Sequence, residues 1–183
     1  MVALRTPKAE IGWQASDFNL PGTDGKQYTL ADVRGPNGLV VMFICNHCPF
    51  VQAILDKILR DAKELQALGI GVVAISANDA EEYPEDSPEN MRKLAEAKGF
   101  TFPYLHDASQ QVARAYDAIC TPDFFGFNSD LKLQYRGRLD DSSMQHKPGG
   151  ERELFTAMKQ VAETGKALAP QNPSIGCSIK WCH

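Results

Sequence analysis

The 183-residue chain has no run of lysines or arginines, and 23 acidic residues outnumber 19 basic ones for a net charge of −4. That leaves no electrostatic footprint for nucleic acid or for an anionic membrane surface, and neither partner is expected. Nothing approaches the ~18 consecutive apolar residues of a membrane-spanning helix. The opening Met1-Val2-Ala3-Leu4-Arg5-Thr6-Pro7 also lacks the apolar core of a signal peptide, so the expected address is cytoplasmic. No internal repeat or linker is visible. The five cysteines are an odd number without an export signal, which argues against a structural disulfide framework and for reduced thiols that do chemistry or bind metal. At this length, 43% hydrophobic and 23% charged residues suit one domain with a real core. It is taken to span 1–183, with a core over about 10–165 and a tail over 166–183.

What is present is concentrated in one stretch. Leu39-Val40-Val41-Met42-Phe43-Ile44 is an unbroken apolar run that ends at Cys45-Asn46-His47-Cys48-Pro49. Continuous hydrophobicity of β-branched and aromatic type suits a central parallel strand covered on both faces. After Pro49 the period changes. Val51, Ile54, Leu55, Ile58, Leu59, Ala62, Leu65 and Leu68 recur at three- and four-residue steps, which predicts one helix from Pro49 to about Leu68, stopped at Gly69. The cysteines thus lie at a strand-to-helix switch. Proline is favoured at the first helical position, where its missing N–H would be unpaired anyway, so Pro49 makes Cys48 the N-cap. Were Cys45 the cap, Pro49 would fall where the first intrahelical hydrogen bond is donated. A thiolate at Cys48 would face free backbone N–H groups and the positive end of the helix dipole, which lowers a cysteine pKa to roughly 3.5–7.5. Cys45 is then its natural disulfide partner. Taken singly, either cysteine reads as a small buried hydrophobe; the pair ahead of Pro49 reads as reactive and exposed. His47 either holds the thiolate by charge or is a loop histidine without a role.

Around this stretch the chain alternates. A strand over Asp17–Leu20, the turn cluster Pro21-Gly22-Thr23-Asp24-Gly25 and Gln27-Tyr28-Thr29 predict a small N-terminal hairpin. Ile70–Ser76 is a second continuous apolar run, so strand, helix and strand form a right-handed crossover. Asn78–Asn90 holds six acidic residues and no basic one, and reads as a solvated loop. Ser87-Pro88-Glu89 starts a helix that Gly99 ends. Phe102–Leu105 is a brief apolar segment, Gln110–Tyr116 a short helix, and Asp123–Phe127 with Leu131–Tyr135 a closing pair of strands. Gly150–Thr164 is the last helix, and the tail beyond it shows no helical period. The order is that of a three-layer α/β domain.

From about Glu10 to Trp181 the chain resembles the thioredoxin superfamily, most closely its peroxiredoxin-like (AhpC/TSA, redoxin) branch. Phe43-Ile44-Cys45-Asn46-His47-Cys48-Pro49-Phe50-Val51 is similar to the strand-to-helix redox site, with Cys48-Pro49 in the register of the peroxide-reacting cysteine. Cys120-Thr121-Pro122-Asp123 resembles the loop whose cis proline abuts that site, and Tyr135-Arg136-Gly137-Arg138-Leu139-Asp140 the strand that follows. The resemblance implies a thioredoxin-like fold, with the hairpin as an N-terminal extension and the tail appended. It implies a thiol-dependent oxidoreductase without a cofactor, with Cys48 as nucleophile and Cys45 as resolving thiol. His47, Pro49, Cys120, Thr121, Pro122 and Arg138 would shape the site, and the Thr121–Pro122 bond would be cis. Substrates would be oxidised thiols or peroxides, and electrons would come from a thioredoxin or glutathione system. Two departures bear on peroxide: Val41 and Cys45 stand where peroxiredoxins carry proline and threonine, and a thiol is a weaker donor than a hydroxyl. The arginine those enzymes use has no assignable counterpart, and Arg138 is only a candidate for it.

The rival is a non-catalytic zinc-binding or interaction module on the same fold. Cys177, Cys182 and His183 could join Cys45 and Cys48 in a tetrahedral site, since zinc accepts four Cys or His ligands in such pairs. Cys120 reads as an inert buried cysteine or an alternative resolving thiol. Asp140 and Asp141 read as solvated or capping carboxylates.

Overall fold

The computed structural model describes residues 3–142, 150–168 and 170–183. In chain order these form β1 (Ala3–Arg5), β2 (Asn19–Pro21), β3 (Gln27–Thr29) and the single turn α1 (Leu30–Val33). Next come β4 (Gly38–Phe43), α2 (Pro49–Gln52), α3 (Leu55–Ala67) and β5 (Ile70–Ser76). After a 3-10 turn over Pro84–Asp86 follow α4 (Pro88–Lys98), β6 (Tyr104–His106) and α5 (Gln111–Ala115). The chain then adds β7 (Cys120–Thr121), β8 (Asp123–Phe127), β9 (Leu133–Gly137), α6 (Glu153–Thr164) and β10 (Ile175–Ser178).

The central sheet has the order β6-β5-β4-β8-β9. β4, β5 and β6 run parallel, while β8 and β9 are antiparallel. β4 lies in the middle, and from Leu39 to Cys45 no residue exceeds 2% exposure. Alternate side chains serve opposite layers. Val40 and Met42 join Ile58, Leu65, Leu154 and Met158 beneath α3 and α6. Leu39, Val41 and Phe43 join Leu30, Val33 and Val112 of α1 and α5. This two-sided covering is why the strand reads as continuous apolar sequence, each large side chain contributing ~1.5–3 kcal/mol on burial. The three-layer α/β reading therefore holds. β2 and β3 pair as the expected hairpin, and α4 begins at Ser87, whose side chain accepts from Asn90 N–H at 3.2 Å, and ends at left-handed Gly99. Among the described residues no helix is long and apolar enough to cross a membrane.

Several boundaries differ. The helix expected from Pro49 to Leu68 is two helices: Ile54 N–H bonds Val51 O at 3.1 Å, a tighter step than the α-helical one, before α3 resumes. No proline or glycine marks the break, so periodicity runs the two together. β9 starts at Leu133 because the Asn128 side chain accepts from both Asp130 and Lys132 N–H groups at 3.0 Å, lengthening the turn. α6 starts at Glu153 rather than Gly150. The tail adds β10, central in a small second sheet of order β1-β10-β7.

β8 begins with a buried ion pair. Asp123, fully buried, receives Arg136 Nη2 at 2.8 Å and Nε at 3.4 Å, and Arg136 also donates to Asp117 O at 2.8 Å. Burial nevertheless pushes the Asp123 carboxyl up to about 6, against the lowering by Arg136. A carboxyl raised in the folded state favours folding most when protonated, and that contribution is lost as pH rises from the unfolded value through the folded one. Arg136→Met, which leaves the carboxylate buried and unpaired, should cost roughly 3–5 kcal/mol near pH 8. The loss should shrink toward pH 4.5, as read from urea unfolding at both pH values.

Candidate active site

The site lies where β4 ends. Phe43 is in register with Asp123 of β8, so the chain two residues on brings Cys45 against Thr121, and Cys45 Sγ is 3.5 Å from Thr121 Oγ1. The Thr121–Pro122 bond is cis, as the resemblance implied. Between the cysteines, the loop is pinned by Asp86. That carboxylate accepts Asn46 N–H at 2.8 Å, His47 N–H at 3.3 Å and the Asn78 side-chain amide at 2.9 Å, and it contacts His47 Nδ1. Asn46 is held further by Tyr104 Oη at 2.8 Å and through its carbonyl by Gln52 Nε2 at 3.0 Å. His47 stacks on Tyr83, ring centroids 5.8 Å apart.

Cys48 is the N-cap and Pro49 the first helical residue; Val51 and Gln52 N–H groups bond Cys48 O at 3.1 and 2.9 Å. Two expectations need correction. The helix that Cys48 caps is one turn rather than about five, so it carries little of a long helix's dipole. Cys48 is also buried, with no exposed surface, rather than exposed. Its surroundings are other thiols. Cys48 Sγ lies 2.9 Å from Cys177 Sγ of β10 and 3.4 Å from Thr121 O.

These contacts separate the thiols electrostatically. Cys48 is held well below the usual cysteine range by a hydrogen bond from the Cys45 thiol, against desolvation, with Cys177, Thr121 and the Val51 N–H adding donors. Cys45 is pushed far the other way because it donates to Cys48, is buried and faces Asp86. Cys177 rises through burial and its bond to Cys48. Cys120, buried in β7, rises to about 12, mainly by burial and then by the Asp123 charge. One group of four thiols thus has a single ionisation-prone member.

Arg138 is engaged away from this group. Its Nε pairs with Glu153, and together with Phe50, Ile54 and Pro122 it lines a cleft beside the start of α2. A cavity of about 270 Å³ opens on Cys45, bounded by Val51, Gln52, Leu55, Leu94 and Lys98. The zinc set is not assembled as expected: Cys177 reaches Cys48, but Cys182 and His183 line a separate cavity with Asp79 and His106. Among the described residues, the ligand atoms that do come together are those of Cys45, His47 and Asp86, within 4.8 Å of one another. The Asp86 oxygens there are already taken by loop amides. Asp140 is capping rather than solvated: 6% exposed, it accepts the Ser142 N–H at 2.9 Å and Lys57 Nζ at 3.1 Å. In the acidic segment Glu81, Glu82, Glu85 and Glu89 are exposed, as a solvated loop requires, but Asp86 departs from that reading and is fully buried. Its signal was the proline-flanked Tyr83-Pro84-Glu85-Asp86-Ser87-Pro88, a rigid turn. The Cys177 contact had no local signal.

A mixed sheet with helices on both faces, and a paired thiol at the end of its middle strand beside a cis proline, defines a thioredoxin-like thiol oxidoreductase. The AhpC/TSA family profile matches residues 11–136, and the chain belongs to that family. An uncharacterized conserved protein from Geobacillus kaustophilus has a structure similar over 100% of this chain and 97% of its own, with 48% identity and a TM-score of 0.95. A candidate peroxiredoxin of Mycobacterium tuberculosis is 28% identical over 122 residues, 67% of this chain and 73% of that one. The thiol-disulfide oxidoreductase ResA of Bacillus subtilis is 25% identical over 67% of this chain and 64% of its own.

A depressed pKa keeps the thiolate as pH falls, and a raised one removes it early. Iodoacetamide alkylation of Cys48 in Cys45→Ser protein should therefore persist to lower pH than alkylation of Cys45 in Cys48→Ser protein. Peptide-resolved rates across pH 4–9 check this, and superimposable profiles would count against the assignment.

Proposed function

We propose that the protein is a thiol-disulfide oxidoreductase in which Cys48 attacks an oxidised substrate and Cys45 resolves the product. The observation that carries the reading is the hydrogen bonding of Cys48 by neighbouring thiols, which favours its thiolate while Cys45 stays protonated. Cys48 displaces one thiolate from a substrate disulfide, leaving a mixed disulfide. Cys45 then attacks Cys48 Sγ, releases the second substrate thiolate and closes Cys45–Cys48, its proton passing to the leaving group. A thiol reductant such as a thioredoxin or glutathione system returns the two electrons. His47, with Asp86, holds the loop; Pro49 starts the helix; Thr121 and Pro122 wall the site. Cys120 borders it, and Arg138 lines the adjoining cleft with Phe50, Ile54 and Pro122.

Peroxide is a second substrate class. Cys48 reacts with it as a thiolate does, but Cys45, a weak donor, occupies the position of the peroxiredoxin threonine, so peroxidase activity should be modest. The zinc module is the competing reading, favoured by the Cys45, His47 and Asp86 cluster. Zinc present at one equivalent and released by thiol modification would support it.

Stopped-flow reduction of hydrogen peroxide and of a model protein disulfide, on wild type, Cys45→Ser and Cys48→Ser, tests the reading. Cys48→Ser should lower both rates by on the order of 10³-fold or more, as loss of a nucleophile does. Activity surviving in Cys48→Ser would overturn the mechanism. Fast peroxide turnover without disulfide exchange would reverse the ordering of substrates.

A further inference from the structure

Cys177 sits in β10 opposite Thr121, with its Sγ 2.9 Å from Cys48 Sγ. A disulfide needs ~2.05 Å between sulfurs, so bonding asks for less than about 1 Å of further approach. The strand that delivers Cys177 is fixed at every side. It pairs with β1 along one edge and β7 along the other. Beyond it, Ile179 N–H bonds Ile119 O at 2.9 Å, Lys180 N–H bonds Asn78 Oδ1 at 2.9 Å, and Gln110 Nε2 donates to Lys180 O at 2.9 Å. Gly176 makes the approach possible, since a Cβ there would lie 1.8 Å from Thr121 O.

The geometry points to Cys177 as a second resolving thiol, so that Cys48 closes its disulfide either with Cys45 or with Cys177. This rests on the reading of Cys48 as nucleophile. In the step, a substrate disulfide and Cys48 give a mixed disulfide and one substrate thiolate. Cys177 attacks Cys48 Sγ, the Cys48 bond to the substrate sulfur breaks, and the second thiolate leaves with the Cys177 proton. Substrate gains two electrons, and Cys48 and Cys177 lose them. Cys177 is kept protonated first by burial and then by its bond to Cys48 and the charge there; capping Cys48 in a mixed disulfide removes the latter two and lowers the barrier to its attack. The Cys48–Cys177 form would tie the C-terminal strand covalently to the start of α2.

If Cys45 were the sole resolver, its removal would strand every mixed disulfide. The test uses full-length Cys45→Ser/Cys182→Ser protein, which lacks the exposed thiol, treated with excess 5,5′-dithiobis(2-nitrobenzoate) as the aryl disulfide probe. Trypsin separates the partners: Cys48 lies in peptide 35–57, Cys177 in 167–180 and Cys120 in 115–132. The expected result is two aryl thiolates released per chain and a cross-link between 35–57 and 167–180. Adding Cys177→Ser or Cys177→Ala, each checked for native circular dichroism, should halve the release to one and leave an aryl adduct on 35–57. A stable aryl adduct in the Cys177-containing protein, or a cross-link to 115–132 instead, overturns the role of Cys177. Aryl thiolate released at an unchanged rate when Cys48→Ser is added would overturn the nucleophile reading, a separate outcome.

Discussion

The thiol group depends on how closely two short strands meet. β10 passes over β7 where Gly176 faces Thr121, and a single added carbon would collide with the Thr121 carbonyl. Because Cys177 is the next residue and is in register with Thr121, that approach delivers its sulfur to Cys48. The other half of the alignment comes from the main sheet. Phe43 pairs with Asp123, so the end of β4 and the Cys120-Thr121-Pro122 segment are held side by side. The buried Asp123–Arg136 pair anchors the first residue after Pro122, and breaking one partner of such a pair is costly because it leaves an uncompensated charge. Two independent hydrogen-bonded ladders thus converge on one sulfur.

Within that group, ionisation is settled by donors. Cys48 receives the Cys45 and Cys177 thiols, the Thr121 hydroxyl and a backbone amide. Cys45 has Asp86 in its surroundings, a charge that opposes a thiolate. Asp86 is tolerated in the interior because loop amides and the Asn78 side chain satisfy it, the condition for burying a carboxylate. The same residue therefore holds the Cys45–Cys48 loop in shape and biases which of its two thiols ionises. Hydrogen bonding by thiols takes the place of the long helix dipole that sequence periodicity had implied, since α2 is a single turn.

The layered α/β fold, the parallel β4–β5 pair, the hairpin and the caps of α4 were legible in the chain, because each is written in a local rule. Continuous β-branched runs mark strands covered on both faces, Ser87-Pro88 and Gly99 bracket a helix, and Pro49 after Cys48 places the cap. Local rules also explain the errors. Periodicity is blind to the break at Ile54 because Val51, Ile54, Leu55 and Ile58 all remain buried across it. Charge composition placed Asp86 in water because it counts charges without seeing their partners.

The sequence by itself determined that two cysteines stand at a strand-to-helix switch, with Cys48 at the cap and Cys45 behind it, since four contiguous residues and a proline carry that information. Only the tertiary structure decided which groups surround Cys48. Thr121 is 73 residues away and Cys177 129, and both arrive through pairing of strands that are two and four residues long. So short a pairing leaves no hydrophobic period to read. Its register is set by backbone hydrogen bonds and by the space a glycine leaves open, and those exist only once the chain has closed on itself.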